Sequence, residues 1–378
     1  MRTNPVATAL PASGIREVMS LAFGRPDVIR LEIGDPDFAT PQHIVEAATK
    51  AASTGATHYG PNTGLPFLRA ALADKLLRRN NLSVTPDQVI VTQGATQGIF
   101  ATLTALAQAG DAVLLPDPAW PNYVMMTRLL GLEVQLYPLT AATDFLPDVA
   151  VLEELVTPRT KVLVVNSPSN PIGTVADRHR VADLAAFARK HDLWLISDEC
   201  YDEIVFDTTC TTPALFAPER TVAVYSFSKT YAMTGWRIGY VAVPEQVVDT
   251  LAKCQETIVA CVSAPTQHAA HAAVTGPQDC VSHMLACYRE RRDLVAQQAK
   301  AAGLTMPTPT GAFYGWIDIG QSHTGASRDF ALRLLATHNV AVAPGTAFGP
   351  AGEGYVRLSL ATSAEDLAEG VRRLADAL

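Results

Sequence analysis

From about residue 86 onward the chain alternates short apolar runs with longer stretches of helical periodicity. The runs are QVIVT, DAVLLP, KVLVVN, LWLISD, TVAVYS and GYVAVP. Each is apolar throughout rather than at alternate positions, which predicts strands covered on both faces, as in a mostly parallel α/β sheet flanked by helices. After about residue 280 the pattern changes. An arginine-rich helical stretch, MLACYRERRDLVAQQAKAAG, is followed by GAFYGWIDI, a helix near RDFALRLLATHN and a short strand at YVRLSLA. Helices grouped with a few separate strands predict a smaller α+β domain. The first 40 or so residues, including VIRLEIGDPDFATP, are too short to stand alone. The expected organisation is an N-terminal segment (1–40) packed with the small domain, a large domain over 41–280 and a small C-terminal domain over 281–378.

Composition narrows the class. The 378 residues are 48% hydrophobic and 17% charged, enough to bury a sizeable core, with no internal repeat or low-complexity tract. A formal charge of −8, with 22 arginines and seven lysines scattered along the chain, offers no large positive surface for phosphate backbones and speaks against a nucleic-acid partner. The N-terminus lacks a charged stretch followed by an apolar run, and no segment approaches the ~18 unbroken apolar residues of a membrane helix. A soluble cytoplasmic protein is expected. The six cysteines show no CxxC spacing, which fits reduced, mostly buried thiols.

Open α/β sheets bind ligands beyond the carboxyl ends of their strands, so the residues after each run carry the information. After QVIVT comes QGATQGIF, where the amides of Gly94, Ala95 and Thr96 at a helix start could hold a phosphate or simply make a turn. After DAVLLP come Trp120 and Tyr123; an indole there can stack on a flat ring or fill a core. After KVLVVN, Asn170 lies in SPSNPIG, a loop that its prolines keep from being helical. After LWLIS, Asp198 ends an apolar strand and Tyr201 follows by three; a carboxylate there needs a positive charge or several donors. After TVAVY, the segment SFSKTYAMTGWR supplies Ser226, Lys229 and Arg237. One crevice thus receives an anion site, an aromatic plate, a neutral hydrogen-bonder, a carboxylate and a lysine, as a phosphorylated aromatic aldehyde bound through a Schiff base requires.

The chain resembles the class I/II aminotransferases of the fold-type-I pyridoxal-phosphate superfamily, in the subgroup of bacterial and archaeal aspartate and aromatic enzymes. The likeness runs from IGDPDFATP through HYGPNTGLPFLRAAL, NSPSNPIG, SDECYDEIVF and SFSKTYAMTGWRIGY to GEGYVRLSLA. It implies pyridoxal 5′-phosphate as cofactor, no metal, and Lys229 as both its anchor and the proton shuttle at the substrate Cα. It also implies that Asp198 pairs with the pyridine nitrogen, that Asn170 and Tyr201 bond the phenolic oxygen, and that Trp120 stacks on the ring. The phosphate would be held by the Gly94–Thr96 turn, Ser226 and Arg237, with Tyr59 reaching in from a partner subunit, so a homodimer is implied. Arg357 would grip the substrate α-carboxylate, assisted by Trp120 and Asn170, and Gly34 would lie where the small domain closes over it.

The reaction implied is transfer of an amino group between an L-amino acid and a 2-oxo acid, with 2-oxoglutarate the expected acceptor, by way of pyridoxamine phosphate. A carbon–sulfur β-lyase on the same fold is the alternative; a cofactor-sensing transcription regulator is rejected for want of a DNA-binding segment. Aspartate-specialised members often carry a lysine where this chain has Thr96. With Arg16 the nearest substitute cation by sequence, a broad enzyme is expected, its side-chain wall formed by Thr96, Trp120 and Tyr123. His268 and His271 lack a third ligand pattern and are expected to pack within a helix. The run YRERRD is expected on a solvated helix face.

Overall fold

The computed structural model describes residues 1–11, 13–323 and 325–378. Its strands in chain order are β1 (Ile29–Arg30), β2 (Val89–Thr92), β3 (Ala112–Asp117), β4 (Glu133–Pro138), β5 (Thr160–Asn166), β6 (Trp194–Asp198), β7 (Thr221–Ser226), β8 (Gly239–Ala242), β9 (Tyr314–Asp318), β10 (Val340–Ala341), β11 (Ala343–Pro344) and β12 (Tyr355–Ser359). Seven of them form one sheet in the order β2-β8-β7-β6-β5-β3-β4. Only β8 runs against its neighbours, so β2 to β7 all end on the same edge. The six apolar runs are all strands of this sheet, and both faces are covered: Val113, Val162, Val164 and Ile196 enter one cluster, Leu114, Leu163, Val165 and Leu195 another. Strand β4 had no apolar run to betray it. It is an edge strand and, unlike β2 at the opposite edge, is half-buried along most of EVQLYP, so one side of it reads as polar.

A three-stranded antiparallel sheet, β11-β12-β9, lies with the helices Asp279–Ala301, Ser327–His338 and Ala364–Asp376 around a separate core that includes Phe313, Phe330, Leu358 and Leu374. The last of these helices starts at Ser363, whose side chain accepts from the Asp366 amide, with Glu365 and Asp366 in its first turn. The N-terminal β1 pairs in parallel with β10.

Two expectations are corrected. The segment YRERRD is not a simple solvated face: Tyr288 and Arg292 are buried, Arg291 forms a two-pronged ion pair with Asp37, and Arg292 bonds Asp207 and Asp293. Its charges tie the Asp279–Ala301 helix to loops from distant parts of the chain. The six cysteines are free, but all are of intermediate exposure rather than mostly buried. Among the described residues no helix is long and apolar enough to cross a membrane.

Candidate active site

Where the sheet's carboxyl edge meets β9, β12 and the N-terminal segment, a cavity of about 700 Å³ opens. The strand ends supply most of its wall. Past β2 the chain turns through Gly94, at φ +73°, into the helix Gly94–Leu106, whose start has no side-chain cap. The first-turn amides of such a helix have no intrahelical partner and point outward. A Cβ on Gly94 would stand 2.6 Å from Arg237 Nη2, so the absence of a side chain lets the guanidinium close over the same turn. Arg237 Nη1 donates to the Thr234 carbonyl at 2.8 Å, and Ser226 Oγ, at the end of β7, accepts from the Ser228 amide at 3.1 Å. Amides, a hydroxyl and a guanidinium therefore converge where an anion would be held.

Lys229 follows three residues after Ser226 and donates to the Gly34 carbonyl. Burial pulls its ammonium down to about 8, with Arg357 and Arg237 acting in the same direction and Asp35 opposing them. Such a lysine is still mostly charged at neutral pH, but it releases its proton far more readily than an ordinary one, so a minority of it is free to act as nucleophile or base. Gly34 permits this approach because Tyr314 fills the space where its Cβ would be; the added atom would lie 2.0 Å from the tyrosine hydroxyl.

Asp198, 5% exposed, accepts from the Cys200 amide at 3.1 Å and from the Tyr123 hydroxyl at 2.5 Å. Burial pushes its carboxyl up despite those donors, and among the described residues no lysine or arginine pairs with it. A buried carboxylate left without a countercharge is suited to a cationic ligand group. Tyr123, fully buried, therefore braces that carboxylate as well as lining the cavity wall. Trp120 stands edge-on to it, with ring centroids 5.4 Å apart. Tyr201 shares a hydrogen bond of 2.8 Å with Tyr314 across 113 positions of sequence.

Arg357 on β12 is 2% exposed. Its Nη1 donates to Asn170 Oδ1 at 3.0 Å and its Nη2 to the Glu32 carbonyl at 2.5 Å, while Nε has no partner. Its plane also lies 4.3 Å from the Tyr314 ring centroid. Burial lowers the guanidinium's proton affinity, yet among the described residues no carboxylate stands within ion-pair distance. A desolvated arginine held by neutral acceptors, with donors left over, is suited to an incoming carboxylate. Asn170 reaches it because Asn166, at the end of β5, accepts from the Asn170 amide at 2.8 Å and donates to the Asp198 carbonyl at 3.0 Å.

Arg16 lines the same cavity from the N-terminal helix Gly14–Ala22. Its only side-chain hydrogen bond is a long one to Met19 Sδ at 3.5 Å, and it makes no ion pair among the described residues. Ser13, Arg16, Trp120, Pro121 and Tyr123 also line a second cavity of about 880 Å³ beside the first. Of the sequence-predicted site residues, Gly94 and Tyr59 do not line this cavity: Gly94 lies against Arg237 at its edge, whereas Tyr59 is 91% exposed. His268 and His271 sit on the helix Ala264–Thr275 with their rings against Phe67, at centroid distances of 4.9 and 5.0 Å. Among the described residues no three metal-ligating side chains cluster.

The chamber thus holds one buried carboxylate and one buried guanidinium, neither in an ion pair among the described residues, one depressed lysine and an anion cradle. That donor set fits pyridoxal 5′-phosphate: the phosphate has its amides and arginine, the ring nitrogen a carboxylate, the aldehyde an amine and the ring a tryptophan. Sequence reasoning missed Tyr314, Asn166 and the bond between Tyr123 and Asp198. The aromatic GAFYGW motif was visible, but nothing local tells which of its rings turns inward.

Comparison with known proteins agrees with this chemistry. The family model described as aminotransferase class I and II matches residues 26–374. The chain is 41% identical to an aspartate aminotransferase of Pyrococcus abyssi, covering 96% of this chain and 94% of that protein. It is 40% identical to an aspartate/prephenate aminotransferase of Thermus thermophilus, over 93% and 91% of the two chains. A solved aspartate aminotransferase of Thermus thermophilus with maleate superposes with a TM-score of 0.95 at 38% identity, covering all of both chains.

Proposed function

The chain belongs to the aminotransferase class I and II family and moves amino groups between amino acids and 2-oxo acids with pyridoxal 5′-phosphate, and we propose that the chamber around Lys229 is where it does so. The observation that carries this reading is the convergence of Lys229, Asp198 and Arg357, three ionisable groups without ion-pair partners among the described residues, on one cavity. When bound, pyridoxal phosphate supplies an electron sink for negative charge at the substrate Cα. Lys229 would anchor it and, once released, would hold and move the proton at the substrate Cα, a task suited to an amine titrating near 8. Asp198, braced by Tyr123 and the Cys200 amide, would be the group to face the ring nitrogen and favour its protonated form. Tyr201 and Asn170 would hold the phenolic oxygen, Trp120 would cover the ring face, and Gly94, Ala95, Thr96, Ser226 and Arg237 would hold the phosphate. Arg357 binds the α-carboxylate, and Gly34, adjoining both Lys229 and Tyr314, lies beneath it.

For the substrate side chain we propose a broad donor range that includes dicarboxylates. Arg16 is a cation without an acidic partner at the cavity wall, beside the Trp120 indole, and offers what Thr96 cannot. The Thermus thermophilus structure with maleate, itself a dicarboxylate, supports the same reading. The second cavity shares Arg16 and Trp120 with the first and leaves space for larger rings. The working unit is proposed to be a homodimer in which the exposed Tyr59 of each subunit serves the other's site, located in the cytoplasm, where six free thiols stay reduced. The test of the substrate reading is the ratio of kcat/KM for aspartate and phenylalanine in the wild type and in Arg16→Gln. Loss of one charge-assisted contact, about 1.5–3 kcal/mol, lowers the aspartate value roughly tenfold or more and leaves phenylalanine nearly unchanged. An unchanged ratio would remove Arg16 from the site.

A further inference from the structure

Outside the residues that line the chamber lies a second cluster of buried charge. Lys75, on the helix Pro66–Asn80, is 6% exposed. Its Nζ donates to Asp202 Oδ2 at 2.5 Å and to Asn80 Oδ1 at 3.0 Å, and stands 3.3 Å from Glu203 Oε1. Asn80 Nδ2 closes the triangle onto the same Asp202 oxygen at 3.0 Å. The ammonium also lies 5.3 Å from the ring centroid of Tyr225, the residue that precedes Ser226 on β7. Burial works against the charge on Lys75, but Asp202, Tyr240 and Glu203 together hold it well above its usual range.

The place where this cluster attaches is informative. Asp202 belongs to the turn that leaves β6 immediately after Asp198: its amide donates to the Glu199 carbonyl at 3.0 Å, and the Ile204 amide to the Tyr201 carbonyl at 2.8 Å. Both residues proposed to face the cofactor ring from this strand, Asp198 and Tyr201, are therefore within four positions of Asp202 on one short turn. A buried ion pair costs desolvation energy that a packed apolar pair of similar volume avoids, so stability alone does not account for it. It does supply direction: a short charge-assisted bond fixes the turn to a helix at one point.

We propose that Lys75, Asp202 and Asn80 are positioning residues: their buried tie fixes the turn 199–203 against the helix Pro66–Asn80 and so holds Asp198 and Tyr201 at the cofactor ring. The inference rests on the reading of the Lys229 chamber as the active site. Its test uses Lys75→Met, Asp202→Asn, the double variant carrying both changes, and Lys75→Arg. The double variant keeps the protein testable should either single variant fail to fold, since it removes both charges of the closer pair and leaves only Glu203, whose side chain keeps some access to water. Three quantities are measured on each folded protein beside its Tm: cofactor affinity, by titrating the cofactor-free protein and following tryptophan fluorescence; the pH midpoint of the bound cofactor's absorbance; and kcat and KM separately.

The double variant is expected to bind cofactor more weakly, to shift the absorbance midpoint and to lose roughly tenfold to a hundredfold in kcat with little change in KM, as for a misplaced group near the chemistry. Lys75→Arg restores part of each. A double variant with lowered Tm but unchanged affinity, midpoint and kcat would show that the cluster is structural only and overturn the proposal. Failure of the underlying reading is separately visible, because Lys229→Ala would then retain the absorbance of lysine-bound cofactor.

Discussion

Replacing Lys229 by methionine should change how the cofactor-free protein's stability depends on pH, by an amount that follows from the site. Burial lowers this lysine from its ordinary 10.5 to about 8. Below pH 8 the amine is charged in both the folded and the unfolded chain, and the full cost of burying the charge is present. Above about 10.5 it is neutral in both states. Between those limits the unfolded chain holds one more proton than the folded chain, so stability rises with pH. The gap of about 2.5 pH units, at 1.36 kcal/mol per unit, corresponds to about 3 kcal/mol across the window. Other groups titrate in the same range, but they do so in both proteins. The quantity to follow is therefore the difference in urea-unfolding free energy between the wild type and Lys229→Met, at one protein concentration, from pH 7 to pH 10. The difference should move in favour of the wild type by about 2 kcal/mol or more as pH rises through that range. A flat difference would mean that Lys229 is not desolvated by its surroundings. One that falls with pH would mean that an acid holds the lysine charged, and in either case its readiness as nucleophile would need another origin.

The remaining predictions concern the cofactor and the assembly. Asp198→Ala should still bind pyridoxal phosphate through Lys229 and the phosphate cradle but lose most turnover, because an unprotonated ring is a poor electron sink; retention of most activity in steady-state assays would reduce Asp198 to a structural role. Mixing Tyr59→Phe subunits with Lys229→Ala subunits should restore activity through hybrid dimers in which one site carries both changes and the other neither. No recovery, with subunit exchange demonstrated by mass spectrometry, would argue against a tyrosine supplied across the interface.

What the sequence disclosed and what it withheld divide along a physical line. Strands β2, β3 and β5 to β8 were legible because both faces of each are buried, which makes their runs apolar without interruption. Lys229, Asp198 and Asn170 were legible because each directly follows or ends such a run. The half-buried β4 and the buried arginine of YRERRD were not, because exposure of one side disguises the other. Contacts between distant segments were the hardest to foresee. Tyr314 meets Tyr201 across 113 positions and Lys75 meets Asp202 across 127, and nothing in either local sequence names its partner. The bond from Tyr123 to Asp198 spans 75 positions and gives a tyrosine of the cavity wall a second task that local sequence does not show.

The claim on which the rest depends is that one lysine of the seven carries the cofactor. Treating the cofactor-loaded protein with borohydride converts a carbon–nitrogen double bond between lysine and cofactor into a stable amine, after which proteolysis and mass spectrometry locate it. The cofactor's mass should appear on the peptide containing SFSKTYAMTGWR, at Lys229, with about one equivalent per chain. Modification of a different lysine, or a loaded protein that borohydride leaves unmodified, would contradict the account.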